Sequence, residues 1–541
     1  MGIYVNPGNN GFARIAGPDY VDKTGLIALV NERIDGPDSL ICISRPRRFG
    51  KSYAAQMLAA YYDCSCDSHA LFDTRAIACS SDYSNHLNQY NVIYLDITGF
   101  ISEIKKRNGA LSDVPVLIEK AIERDLHALG FPSAEEETLN DILIRCASAP
   151  HGRKFVFIID EWDAMIREAK NHPAAQEAYL NLLRGWFKNA NFTPKAVAAA
   201  YMTGILPIKK DGSQSAISDF SEYSVLNPMD FADYFGFLEA EVRLLCDKYG
   251  LDFCRAKAWY DGYTLGRTRS VYNPFSVMSA VKARRFASYW KKTSAAEALM
   301  TYIDMDQDGL QEDIAKLIAG ESIEVDTDSF QNDVETFTCK DDVLTLMIHL
   351  GYLTYREESG LYDNSDEEER IGLARIPNEE VRKEFQKILR KAKHKDLAEL
   401  VRRSDQLLQD TLAGNKTAVA KAIQQIHDSS YAPTFYNNEQ SLRYVIKMAY
   451  ISCVDQYAKI EELPMGHGLA DVVFLPKRRS SLPAMVIELK WNKKAQGAIC
   501  QIKHKNYALI PSQLGGRIVL VGINYDETGK EHTCEIEFVQ R

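Results

Sequence analysis

Ser44-Arg45-Pro46-Arg47-Arg48-Phe49-Gly50-Lys51-Ser52 gathers three arginines, a glycine, a lysine and a hydroxyl in one short stretch. Those residue types suit phosphate. Backbone N–H groups of Arg47, Arg48, Phe49 and Gly50, at the start of a helix, would hold the α/β-phosphates. Lys51 would reach the β/γ-phosphates, and the Ser52 hydroxyl would bind Mg²⁺. Arg45, Arg47 and Arg48 could grip phosphate oxygens or pair with nearby acids. One position departs from the usual G-x-x-x-x-G-K-[ST] spacing: its first glycine falls on Arg45. A second constellation is Asp160-Glu161. Asp160 would hold Mg²⁺, and Glu161 would polarise an attacking water. Thr203 is placed to sense the γ-phosphate. A third constellation lies far downstream, where Asp471 is followed after sixteen residues by Glu488-Leu489-Lys490.

The flanking sequences predict elements that position these groups. Leu40–Ile43 is a short apolar strand and Tyr53–Tyr61 is helix-like, giving strand, loop, helix. Lys154–Ile159 and Ala196–Met202 read as buried parallel strands ending at Asp160 and Thr203. Asp471–Leu475 and Met485–Trp491 read as two strands joined by a turn region, Pro476–Pro483. Side chains alternate along a strand, so Glu488 and Lys490 share a face, and Asp471 joins them if the two strands form a hairpin. Two carboxylates and a backbone carbonyl make a hard oxygen site for Mg²⁺ or Mn²⁺. Lys490 could position the nucleophilic water or stabilise the charged transition state.

The chain has 541 residues, enough for two to four domains. Its composition, 46% hydrophobic and 26% charged, is that of a soluble globular protein. No apolar run approaches the ~20 residues of a membrane helix, so no membrane partner is expected. Eleven cysteines lack metal-like pairing, and no signal-peptide pattern opens the chain, which predicts reduced thiols and the cytoplasm. Net charge is −10, which excludes a polycation coating nucleic acid. Residues 471–520 nevertheless carry nine basic side chains against two acids, Asp471 and Glu488. The run Asp363–Glu369 reads as a solvated acidic loop.

The phosphate loop, the upstream Tyr20-Val21-Asp22-Lys23-Thr24 and Ile159-Asp160-Glu161-Trp162-Asp163 together resemble the AAA-ATPase-like family. So do Thr203-Gly204-Ile205-Leu206, Tyr260-Asp261-Gly262-Tyr263 and Tyr272-Asn273-Pro274-Phe275-Ser276, which carry the resemblance over about residues 1–300. The family consists of P-loop NTPases usually fused to a C-terminal PD-(D/E)XK nuclease-type domain. In it the arginine-rich loop is a typical variant. The resemblance implies ATP binding. Asp471, Glu488 and Lys490 match the PD-(D/E)XK pattern. By the same resemblance Gln501, with Tyr507 downstream, lies on a helix facing the site, and Glu439 matches a helix glutamate that completes the metal site. The family often has arginine two residues before the first acid; here that residue is Leu469.

Between these ends, Asp261-Gly262 reads as a tight turn at a packing corner. Leu344–Tyr355 reads as a helix running into a strand, and Glu379–Lys393 and Asp396–Gly414 as helices. His467 reads as a loop residue. The expected architecture is α/β, with a P-loop ATPase-like domain at 1–225 and a parallel sheet. A helical lid and linker follows at 226–430, partly winged-helix-like, then a PD-(D/E)XK nuclease-like domain at 431–541. The expected function is an ATP-binding protein whose nucleotide state gates a metal-dependent DNA endonuclease. Its alternatives are a nucleotide-regulated scaffold with a silent nuclease fold and a DNA-translocating motor. Expected cofactors are ATP and Mg²⁺ or Mn²⁺. DNA is the expected partner, on resemblance, and a homo-oligomer is compatible with the chain.

Overall fold

The computed structural model describes residues 2–540 except 135, 170, 209–216, 291–309, 329, 331–336, 338, 358–370, 390–394, 429–438, 466–467, 477–481 and 505–516. The acidic run Asp363–Glu369, His467 and Tyr507 therefore lie outside the described residues. The chain divides into two compact units, residues 1–291 with 324–381, and residues 292–323 with 382–541.

The first unit is built on a five-stranded sheet of β1 (Leu40–Ser44), β2 (Asn91–Asp96), β3 (Phe155–Asp160), β4 (Val197–Gly204) and β5 (Ser221–Tyr223). Their order is β2-β3-β4-β1-β5 and all paired neighbours are parallel. Strands buried on both faces need apolar side chains at every position. Leu40 and Cys42 enter one core with Ile93, Phe157 and Ile159. Ile41 and Ile43 enter the opposite core with Val156, Ile158 and Tyr201. The helix Lys51–Tyr62 packs on that second face through Ala55, Met57, Leu58, Tyr61 and Tyr62. Each fully buried Ile or Leu contributes about 1.5–3 kcal/mol, so burial on both faces stabilises the sheet whose strand ends carry these groups.

Two small sheets complete the unit. One is antiparallel, from β6 (Phe237–Leu238), β7 (Tyr263–Leu265) and β8 (Thr268–Tyr272). The other orders β9 (Ile323–Asp326), β10 (Thr354–Glu357) and β11 (Ile371–Arg375) as β10-β11-β9. The turn at Asp261-Gly262 packs where a Cβ on Gly262 would meet the Pro377 carbonyl at 2.0 Å. The helix Lys340–Leu350 does run towards a strand, β10, as its sequence pattern predicts.

The second unit holds a mixed sheet of β12 (Tyr457–Met465), β13 (Gly468–Pro476), β14 (Ala484–Trp491), β15 (Arg517–Asp526) and β16 (Glu531–Gln540), in that order. Only the β14–β15 pair is parallel, and its crossover contains the helix Ala495–His504. Ile499 and Ile502 of that helix pack on Val473, Val486 and Leu520. The hairpin expected for the two acidic strands is present: Val472 pairs with Ile487 in antiparallel register.

Candidate functional site

The phosphate-loop geometry follows from where β1 ends. Gly50 has φ +93°, a left-handed backbone that glycine adopts without steric cost, and Arg48 has φ +71°. Arg45 is not among the positive-φ residues, so its position does not demand glycine. Its backbone N–H donates to the Gly204 carbonyl at 3.1 Å, extending the β1–β4 ladder. Its buried guanidinium donates to the carbonyls of Ser44 at 2.9 Å and Tyr223 at 2.6 Å, and lies over the Phe235 ring. Burial lowers its pKa to about 9. Arg45 thus fastens the loop to β5 and pairs with backbone carbonyls, not with acids.

Lys51 is buried at the start of its helix. Its ammonium donates to the carbonyls of Arg45 at 2.9 Å and Pro46 at 3.0 Å, bridging the loop. Burial lowers its pKa, and Glu161, Asp160 and Asp163 oppose that shift. Ser52 is partly exposed beside it. Later segments of the same unit cover the loop. Phe49 sits edge-on to Tyr263, with ring centres 5.0 Å apart. Arg48 donates to the Tyr289 carbonyl at 2.9 Å and its guanidinium lies over Phe275. Arg47 has no hydrogen-bond or ion-pair partner among the described residues, and is partly exposed.

β3 and β4 end side by side. The Thr203 hydroxyl donates to Asp160 Oδ1 and accepts from the Glu161 N–H at 3.4 Å, while the Thr203 carbonyl accepts from the Trp162 N–H at 2.9 Å. Thr203 therefore acts on Asp160 directly. Glu161 holds φ +54° and pairs with Arg167. Burial raises the Glu161 pKa, against the pull of Lys51. Asp163, fully buried, accepts from the N–H groups of Ile205 at 3.1 Å and Leu206 at 3.0 Å and from Arg167 Nε at 2.9 Å. The sequence pattern missed Arg167. The available signal was an acid and an arginine four residues apart, Asp163 and Arg167, a spacing that meets on a helix.

In the second unit Asp471 lies within β13 and Glu488 within β14, each one residue past the Val472–Ile487 pair. Glu488 Oε1 accepts from Gln501 Nε2, and Lys490 Nζ lies 3.4 Å from the same oxygen. Glu488 is 2% exposed and Lys490 8%, so a buried acid does face a buried cation. Asp471 Oδ2 accepts from the Leu489 N–H at 2.8 Å, and Oδ1 pairs with Arg443 at 3.0 Å. Arg443 was not flagged by the sequence pattern, although it follows Glu439 by one turn of the helix Glu439–Ala449. The Glu439 side chain lies outside the described set, as do Lys477, Arg478, Arg479 and Lys505 of the basic stretch. Asp471 and Glu488 supply the hard oxygen donors a divalent cation takes, but Arg443 and a backbone N–H already engage Asp471. Among the described residues no three His, Cys, Asp or Glu side chains form a metal cluster. All eleven cysteines are free thiols, and no described helix is long and apolar enough to cross a membrane.

Residues 8–213 match a family model described as predicted AAA-ATPase. A curated relative, an uncharacterised protein from the vnfD 5′ region of Azotobacter chroococcum mcd 1, is 25% identical over 531 residues and the match covers 96% of each chain. The Walker-type ATPase PABY2304 of Pyrococcus abyssi aligns at a TM-score of 0.31 and 12% identity, over 67% of this chain and 94% of its own. The ORC2 protein of Aeropyrum pernix in its ADP form aligns at 0.28 and 12%, over 69% and 97%. Neither superposition, at such scores, defines a shared fold. Residues 8–213, which carry the phosphate loop, Asp160 and Thr203, are similar to the AAA-ATPase-like family.

Proposed function

We propose that the chain is an ATP-binding protein whose N-terminal domain, 1–225, gates a metal-dependent DNA endonuclease-type domain at 431–541 through the lid and linker at 226–430. The observation that carries the nucleotide half is Lys51, buried at a helix start with its ammonium bridging the Arg45 and Pro46 carbonyls of the loop. Arg47, Arg48, Phe49 and Gly50 would present backbone N–H groups to the phosphates. Ser52 and Asp160 would hold Mg²⁺, which offsets phosphate charge. Thr203 keeps Asp160 oriented, and Glu161 accepts a hydrogen bond from the attacking water.

The nuclease half rests on the gathering of Lys490 and Gln501 around the Glu488 carboxylate, with Asp471 on the neighbouring strand. Asp471 and Glu488, with Glu439, would hold Mg²⁺ or Mn²⁺. Lys490 would stabilise charge at the phosphodiester. DNA is the substrate favoured by the family resemblance, and self-association is part of the same reading. Free thiols suit a reducing compartment such as the cytoplasm. A second reading has its own support. Because Arg443 already pairs with Asp471, the C-terminal fold could serve as a metal-free scaffold regulated by nucleotide.

The test is cleavage of linear, circular and single-stranded DNA with Mg²⁺ or Mn²⁺, with and without ATP. Wild type should cut, Glu488→Gln should not, and Lys51→Ala should lose both ATP binding and any ATP dependence. Cutting by Glu488→Gln at the wild-type rate would refute the site. No cutting by wild type, with ATP still bound, would select the scaffold.

A further inference from the structure

The two oxygens of Glu161 have different surroundings. Oε2 pairs with Arg167 Nη2, whereas Oε1 accepts no hydrogen bond among the described residues. Arg167 is not a loose surface cation. It lies in the short helix Ala164–Glu168 with its side chain 15% exposed. Its Nε donates to Asp163 Oδ2 at 2.9 Å, and Nη2 lies 3.4 Å from Asp163 Oδ1. Asp163 is itself held by two backbone N–H groups, those of Ile205 and Leu206, just past the end of β4. The direction of the guanidinium is therefore set by main chain. A planar guanidinium whose Nε and Nη2 are held by one fixed carboxylate sets its second partner in direction as well as distance.

A glutamate that must orient one water needs a single rotamer with one oxygen open. A clamp on Oε2 alone provides that. We propose that Arg167 is a positioning residue for ATP hydrolysis, fixing Glu161 through Oε2 so that Oε1 remains available to the attacking water. This rests on the reading of Glu161 as the water-orienting residue. Arg167 makes no contact with nucleotide in this scheme. Its loss should leave binding intact and slow turnover, because the correctly oriented conformer becomes one of several.

The experiment measures ATP affinity and steady-state hydrolysis of the full chain for wild type, Arg167→Ala, Arg167→Lys, Glu161→Gln and the double variant Arg167→Ala/Glu161→Gln. Arg167→Ala should lower kcat about 10- to 100-fold with ATP Kd within about threefold of wild type. Arg167→Lys, which keeps the charge and one donor, should recover part of the loss, and it reads the same quantity if the alanine variant proves too unstable to purify. In the Glu161→Gln background, Arg167→Ala should add little, because the two residues act as one unit. Wild-type kcat in Arg167→Ala, or in Arg167→Lys where only that variant is obtained, overturns the proposal, as does an equal further loss in the Glu161→Gln background. A wild-type kcat in Glu161→Gln, or no turnover by wild type, overturns the hydrolytic reading of Glu161, and the proposal with it.

Discussion

Replacing Arg443 with glutamine tests how the C-terminal acids meet a metal. Asp471 has two oxygens: the Leu489 N–H takes Oδ2 at 2.8 Å and Arg443 takes Oδ1 at 3.0 Å. The backbone donor is fixed by the strand, so Oδ1 is the oxygen a divalent cation must win. The pair is largely buried, with side-chain exposures of 20% for Arg443 and 17% for Asp471. A hydrogen bond to a charged group in such a setting contributes about 1.5–3 kcal/mol. Displacing it costs a metal that amount, which corresponds to roughly 10- to 100-fold in affinity. Arg443→Gln should therefore tighten Mn²⁺ binding by about that factor. Calorimetric or paramagnetic-resonance titration of the full chain without nucleotide measures it. Asp471→Asn identifies the portion of binding due to this site. Equal Mn²⁺ affinity in wild type and Arg443→Gln, with loss in Asp471→Asn, would show that the guanidinium does not compete. No change in Asp471→Asn would remove Asp471 from the ligand set.

Gly204→Ala should destabilise the first unit by about 1–3 kcal/mol, the usual range for overpacking. Its new Cβ would stand 2.7 Å from Trp162 Nε1 and 3.1 Å from Asp163 Oδ1, and neither neighbour is free to retreat. Denaturant unfolding of the full chain checks this, and an unchanged midpoint for the first transition would contradict it. Acid should also weaken this unit through His349, whose pKa burial and the Arg45 charge hold down at about 4. An unfolded histidine titrates near 6.5, so the unfolded state binds the proton first and stability falls as pH drops from about 6.5 towards about 4. By pH 5 the loss from this residue is about 2 kcal/mol. His349→Asn should shrink the difference in unfolding midpoint between pH 7.5 and pH 5.0. An identical difference in both proteins would refute the buried, neutral histidine.

The central sheet was legible where its strands are apolar on both faces. β1, β3 and β4 read directly from Leu40–Ile43, Phe155–Ile159 and Ala196–Met202. β2 and β5 carry Asn91, Asp96, Ser221 and Glu222, which hide a sheet strand among polar residues. The C-terminal pair was legible because period-two alternation puts Glu488 and Lys490 on one face and antiparallel register then brings Asp471 beside them. What sequence could not supply was the partner of each acid. Arg443 is an ordinary helix residue by pattern, aimed at Asp471 only by packing, and the i,i+4 spacing of Asp163 and Arg167 does not reveal that Arg167 also reaches Glu161. Arg45 was opaque for another reason. It stands where the usual spacing has a glycine, yet the backbone there needs no positive φ, and the side chain leaves the loop to bind the Tyr223 carbonyl.

Those two arginines also separate the two sites chemically. At Glu161 the guanidinium takes one oxygen and leaves the other open, so on the proposed reading the residue can meet water without rearranging. At Asp471 both oxygens already have donors, so on the proposed reading a metal there competes with Arg443. On the proposed reading, the same ion-pair chemistry favours readiness in the N-terminal site and restraint in the C-terminal one. A nuclease that cut DNA whenever metal was present would be better served by an open Asp471. An arginine at that oxygen suits a site that has to be released first. If Arg443→Gln both tightens Mn²⁺ binding and removes any ATP dependence of cleavage, the restraint and the gate are one interaction. If it tightens binding and leaves ATP dependence intact, the gate acts elsewhere.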